Sequence, residues 1–163
     1  MAVDIFLKID DIKGESADKQ GHGGDIEVLT WNWGLTQSGT AHTGTGSGAG
    51  KVNIQDITVS KFIDMSTPNL IKACCSGKPF GQALLTVRKA GGTKPVEYIK
   101  VKLINVIIAG VSTSGSGSDD RQTESVTLNF SKVEYTYTPQ TDKGDAGPAI
   151  TIAWNIPANT EGL

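Results

Sequence analysis

The tightest constraint on this chain is a two-residue hydrophobic period that recurs along its length and twice changes phase. Near the start, Val3, Ile5 and Leu7 alternate with Asp4, Phe6 and Lys8, and near the end Ile150, Ile152, Trp154 and Ile156 keep one register. Successive side chains of a strand point to opposite faces, so this alternation specifies strands with one face turned to a core. Further strands are expected at 83–89, 97–111 and 149–156. Between Asp25 and Trp33, Leu29, Trp31 and Trp33 fall on one face and Ile26, Val28, Thr30 and Asn32 on the other. Both faces are partly apolar, so this strand is expected to be covered on both sides, with Trp31 and Trp33 in the core.

The phase changes are as informative as the period. Val52 and Ile54 lie on one parity and Ile57 and Val59 on the other, with the slip at Gln55–Asp56. A second slip separates Val126, Leu128 and Phe130 from Val133, Tyr135 and Tyr137. A one-residue slip inside a strand-like run is the mark of a β-bulge or bend, and bends let a sheet curl. The expected fold class is therefore mainly β: a single-domain β-barrel, residues 1–163, of two curled antiparallel sheets. One short flanking α-helix is expected at 66–77. Ser66 offers a capping hydroxyl, Pro68 suits a first turn, and Gly77 suits the left-handed residue past the end. Leu70, Ile71, Cys74 and Cys75 give that helix an apolar face.

Composition narrows the function classes. A formal net charge of -2 argues against a nucleic-acid binder held by phosphate contacts. The first residues lack a basic segment followed by an apolar run, and no stretch has the length of a membrane-spanning helix. The expectation is a chain made and folded in the cytoplasm, without stable membrane insertion, whose export needs a route other than a cleaved signal. The adjacent Cys74 and Cys75 read as small core or half-buried residues of a reducing compartment, with no metal or redox spacing.

Motif by motif, catalytic chemistry fails to assemble. The segment 39–51 resembles a phosphate loop, but Thr45 stands where a Walker glycine is needed and Val52 where Ser or Thr is needed. Gly44-x-Gly46-x-x-Ala49 fits the loose dinucleotide pattern, yet a strand-type run follows, so no helix N-terminus receives a pyrophosphate. The segment reads as a long β-connection, the kind of loop that usually makes contacts. His22 and His42 have no second ligand at zinc spacing. Asp10–Asp11 and Asp119–Asp120 lack the ligand pattern of a calcium loop. No nucleophile–base pair is evident, Ser116 included. The expectation is a non-enzyme with no cofactor and no metal. The small, polar run 110–124 suits close approach of another backbone, as at a subunit contact.

Several ordered pieces carry a resemblance. Met1-Ala-Val-Asp-Ile-Phe-Leu-Lys-Ile9, Lys13-Gly-Glu-Ser16, Trp31-Asn-Trp-Gly34 and Gln37-Ser-Gly39 look like the haemolysin-coregulated protein (Hcp) family. So do Gly50-Lys-Val-Asn-Ile-Gln-Asp56, Ser66-Thr-Pro-Asn-Leu70, Val87-Arg-Lys-Ala-Gly91, Val126-Thr-Leu-Asn-Phe130 and Ala153-Trp-Asn-Ile156. The run 139–148 departs from the family pattern. The resemblance implies a hexameric ring with a wide channel, stacked into the inner tube of a type VI secretion apparatus. It further implies sheath and tip-spike proteins as partners, small effectors carried and protected in the lumen, and export of the tube by sheath contraction. The loop of Gly39, Thr40, His42, Gly44, Gly46, Ser47, Gly48 and Gly50 falls where the family has an extended inter-subunit loop. Asn32, between two tryptophans assigned to the core, becomes the candidate for a lumen-facing effector contact. Two other readings stay open: a phage or phage-like tail-tube protein, and a ligand-binding β-barrel such as a small lectin, which predicts a monomer or dimer.

Overall fold

Hydrophobic phase along one long strand explains how the sheet folds over on itself. The computed structural model describes residues 3–39 and 50–163. The strands are β1 (Val3–Ile9), β2 (Ile26–Glu27), β3 (Thr30–Asn32), β4 (Leu35–Thr36), β5 (Asn53–Ile54) and β6 (Ile57–Phe62). After helix α1 (Thr67–Ser76) come β7 (Pro79–Lys89), β8 (Val96–Ser114), β9 (Thr123–Asn129), β10 (Lys132–Tyr137), β11 (Ile150–Asn155) and β12 (Thr160–Glu161). β8 is the spine. One edge pairs with β7, which leads to β1 and β2. The other edge carries β10 along Ile99–Ile104 and β9 along Ile107–Ser114. β6 and β3 follow β9, and β11 and β12 follow β10. All these pairings are antiparallel, and β4–β5 forms a separate two-stranded ribbon.

On β8 the fully buried side chains are Val101 and Leu103, then Val106 and Ile108, so the inward parity changes at Asn105. Asn105 has φ 55, a left-handed conformation that Asn tolerates better than most residues. On β7 the inward set Ala83, Leu85 and Val87 gives way to Phe80 across Gly81. On the other side, β9 and β10 are separated at Phe130–Ser131, and Asn105 Nδ2 donates to Ser131 Oγ at 2.9 Å. Three neighbouring strands therefore bend at one level, which keeps apolar side chains inward on both sides of a corner. A second shift, between Ile108 and Gly110, re-registers β8 against β9.

The mainly β fold with one flanking helix is as expected. The two sheets are unequal, ten strands and two, and the curl is not sealed by an unbroken ladder. β2 pairs with β1 and β3 with β6. Between them the chain crosses the gap with two hydrogen bonds, Val28 N–H to Ile5 O (3.0 Å) and Leu29 N–H to Ser60 O (2.7 Å).

That crossing corrects the single strand expected over 25–33. The chain changes partner at Val28–Leu29, so Ile26 and Val28 are buried and Trp31 and Trp33 pack against the same core. Leu29, read as sharing a face with the tryptophans, is 42% exposed. The tryptophans themselves are half-buried, packing on the core from its rim. Both phase slips are likewise breaks between separate strands: β5 and β6 belong to different sheets, and β9 and β10 share one edge of β8.

The helix differs from expectation in its face and its start. Thr67, Leu70 and Ala73 are the buried residues, and they pack toward β8. Burying a leucine contributes roughly 1.5–3 kcal/mol, enough to hold a helix too short to persist alone. Ile71 and Cys75 are exposed and Cys74 is half-buried, both thiols free. Ser66 makes no side-chain cap; its hydroxyl bonds Asp64 instead. Gly77 does end the helix at φ 66, its N–H reaching Ala73 O at 2.9 Å.

Beneath the start of α1 lies a buried ionic cluster. Lys61 on β6 stands directly opposite Glu124 on β9, and neither side chain is exposed at all. The Lys61 ammonium contacts Glu124 Oε2, lies 3.1 Å from Asp64 Oδ1, and donates to Phe62 O at 2.9 Å. Thr67 Oγ1 donates to Glu124 Oε2 at 2.7 Å and accepts Asp64 N–H at 3.1 Å. The cluster thereby fixes the turn that joins β6 to α1.

Candidate functional site

Strand β11 leaves the fold unfinished on one side. Its whole length pairs with β10, but β12 covers only Trp154 and Asn155, with one further bond from Gly162 N–H to Ala153 O at 3.0 Å. Ile150 and Ile152 are 65% and 59% exposed, the most exposed large hydrophobic residues among those described. Tyr137, opposite Ile150 on β10, and Leu35, on the separate β4–β5 ribbon, are also exposed.

Between this shelf and the β4–β5 ribbon opens a cleft of about 380 Å³, walled by Trp33, Leu35, Val52, Ile54, Val133, Ile152 and Trp154. Trp33 is fixed by its Nε1–H bond to Gln55 O at 2.9 Å and stacks on Tyr135, ring centres 6.3 Å apart. The indole Nε1 of Trp154 is buried with no acceptor. An unmet buried donor beside an open apolar wall is unfavourable in the isolated chain.

On the outer face of β1, β7 and β8 sits a second, polar cluster. The loop between β1 and β2 folds back on itself through Gly14 N–H to Gly24 O (2.8 Å) and Ser16 N–H to Asp25 O (3.0 Å). A Cβ on Gly14 would lie 2.4 Å from Asp25 O and 2.6 Å from Ile26 Cα, so only glycine fits there. The loop delivers buried His22 flat onto Phe6, with ring centres 4.3 Å apart. His22 Nδ1 lies 2.8 Å from Asp25 Oδ2, and its Nε2 lies 2.5 Å from Glu97 Oε1. Burial opposes ionisation of Glu97, but its contacts with His22 and Lys100 outweigh that and hold the carboxyl below its usual range. Arg88, 4.9 Å from the Phe6 ring centre, donates to Asp18 at 2.8 and 3.1 Å and to Asp4 at 2.9 Å.

This guanidinium holds the Asp18 carboxyl well below the carboxylate range, against desolvation, with help from the Gln20 and His22 backbone N–H groups. A carboxyl whose folded pKa is depressed stabilises the fold above its unfolded value and loses that contribution as pH falls through the folded one. The stability gap between the wild type and Arg88→Met is therefore expected to be full at neutral pH. It should narrow once pH falls below the ordinary Asp value of 3.8. Thermal melts from neutral pH into strong acid check this; a gap independent of pH would refute it.

The residues singled out from sequence are dispersed. Asn32 is exposed at the end of β3, opposite Thr58 on β6. Gly39 and Gly50 are exposed, and Gly50 borders the apolar cleft. Thr40, His42, Gly44, Gly46, Ser47 and Gly48 lie outside the described residues. The exposed shelf was missed because its alternation reads like any core-facing strand. Among the described residues, no group of three or more His, Cys, Asp or Glu side chains is arranged to hold a metal. No described helix is long and apolar enough to cross a membrane.

Fold and surface together define a curled, mainly β protein with one flanking helix and an apolar edge strand left uncovered. The family profile described as Type VI secretion system effector, Hcp, matches residues 6–137. Protein hcp1 of Pseudomonas aeruginosa is 55% identical over 163 residues, 99% of each chain. Hcp1 from Salmonella typhimurium is 42% identical with a TM-score of 0.82, covering 99% of this chain and 100% of its own. Another type six secretion system protein superposes with a TM-score of 0.92 at 30% identity, covering 99% of this chain and 100% of its own. The chain belongs to the Hcp family.

Proposed function

We propose that this chain is a tube subunit: six copies close into a ring, and rings stack into the inner tube of a type VI secretion apparatus. The tube assembles in the cytoplasm, holds small effectors in its lumen, and leaves the cell when the sheath contracts, with sheath and tip-spike proteins as partners. The observation that carries this reading is Hcp family membership across residues 6–137. The uncovered shelf of Ile150 and Ile152 supports it, since a monomer gains nothing from so much apolar surface in water. A closed ring repeats one heterologous contact about an axis, so each copy needs two different sticky faces. Native mass spectrometry across a wide concentration range is expected to give a six-copy species. A persistent monomer or dimer would favour a ligand-binding barrel instead.

Within this reading, the segment from Gly39 to Gly50, including Thr40, His42, Gly44, Gly46, Ser47 and Gly48, contacts the neighbouring subunit. Asn32 faces the lumen, where a neutral side chain that both donates and accepts suits weak contacts with varied passengers. Repetition around the ring multiplies a weak contact. Asn32→Arg is expected to leave ring formation intact while effectors lose protection and fall in abundance. Unchanged effector levels would remove Asn32 from the lumen, and broken rings would place it at a subunit boundary.

A further inference from the structure

We propose that the turn bearing Ile63 and Met65 in one copy seats in the Trp33–Trp154 cleft of a second copy, a head-to-tail contact. The proposal rests on the ring-forming reading above and names the two faces that meet.

The turn is built as a projection. Ile63 and Met65 are 40% and 53% exposed, while Asp64 between them turns its side chain inward, 6% exposed, toward Lys61. The buried Lys61–Glu124 pair anchors the turn from below, and Ile63 N–H donates to Gln122 O at 2.9 Å. Two apolar side chains held on a fixed backbone lose little freedom when they dock. A buried ionic cluster beneath an exposed apolar pair is costly for the isolated fold, and presenting that pair gives it a purpose.

The cleft has the complementary features. Its volume of about 380 Å³ accommodates two such side chains between apolar walls. Charges at the borders match as well. Beside the turn lie exposed Asp119, Asp120 and Arg121, the last stacked over Phe62 at 3.8 Å. Beside the cleft lie exposed Lys51, next to Gly50, and Glu161, opposite Trp154. Lys51 faces the aspartates and Glu161 faces Arg121 when the turn enters.

Strand register sets the two features apart. Trp154 aligns through Val133 with Leu103, in the first half of β8, and Phe62 aligns through Thr123 with Ser114, at its far end. A turn and a cleft so separated cannot satisfy each other within one chain. The contact is therefore heterologous and repeats from copy to copy.

The test uses the full-length chain with Met65→Asp and Ile152→Asp, both at exposed positions, and reads mass by light scattering and native mass spectrometry. Near-ultraviolet circular dichroism checks the fold, and Met65→Gln and Ile152→Gln replace any variant that loses it. Each variant alone is expected to stay monomeric where the wild type assembles, its dissociation constant raised about tenfold or more. An equimolar mixture is expected to give dimers and nothing larger, since one intact turn and one intact cleft remain. Either variant assembling like the wild type, or a mixture that stays monomeric or rebuilds rings, overturns the contact while leaving the ring reading intact. A wild type that never assembles overturns both.

Discussion

Lys61→Met is expected to destabilise the protein by roughly 3–5 kcal/mol, the usual consequence of removing one partner from a buried ion pair. The ammonium is wholly buried and contacts two carboxylates, Asp64 and Glu124, from the centre of their cluster. Without it, Glu124 keeps only the Thr67 hydroxyl, and its Oε1 is already without a partner. The double variant Lys61→Met, Glu124→Leu is expected to recover most of the loss, because apolar pairs of similar volume replace buried ion pairs at little cost. Urea melts of the wild type and both variants decide the matter. A single variant within about 1 kcal/mol of wild type would mean that the pair behaves as though solvated.

The second large effect is expected at Leu103. It is fully buried on β8, opposite Ala83 on β7 and Val133 on β10, so Leu103→Ala removes methyl groups from the centre of the sheet. The expected cost is roughly 2–5 kcal/mol, from lost transfer energy and the cavity left behind. Leu35→Ala is the informative contrast. Leu35 is 51% exposed at the cleft, so the same truncation should leave the melting temperature of the dilute monomer nearly unchanged and weaken assembly instead. Equal loss of stability in both would place the cleft inside the monomer's own core.

What the sequence revealed was set by how local each feature is. The strands at 83–89, 97–111 and 149–156 were legible because alternation is a property of neighbouring residues, and β7, β8 and β11 contain those runs almost whole. The corner at Gly81, Asn105 and Phe130–Ser131 was not, because it exists only when three strands are aligned. The run 25–33 misled for a related reason: the chain leaves β1 for β6 at Val28–Leu29, and a partner change writes no residue type into the sequence. Lys61 and Glu124 are 63 positions apart, and His22 and Glu97 are 75 apart, so neither pair had a spacing to recognise. Ile150 and Ile152 were legible as strand and illegible as surface, since alternation says which residues share a face and not whether anything covers it. The family resemblance was readable from many short pieces in order, and the family profile spans most of them.

The length of β8 has a mechanical consequence. Nineteen residues of strand measure roughly 60 Å along the contour, bent at Asn105, with β7 on one edge along Val96–Ile107 and β10 and β9 on the other along Ile99–Ile104 and Ile107–Ser114. The bonds of an antiparallel ladder run across the strands. A load along either arm of β8 therefore pulls the rungs of that arm sideways together, and they share the force instead of parting one at a time. A load across the sheet, by contrast, opens a ladder rung by rung, and the ladders flanking the Val28–Leu29 crossing are short, two residue pairs for β1–β2 and three for β3–β6. The subunit is thus built stiff in one direction and weaker in another, and under transverse force it opens where β2 leaves β1 or β3 leaves β6, with the peptide link at Val28–Leu29 intact.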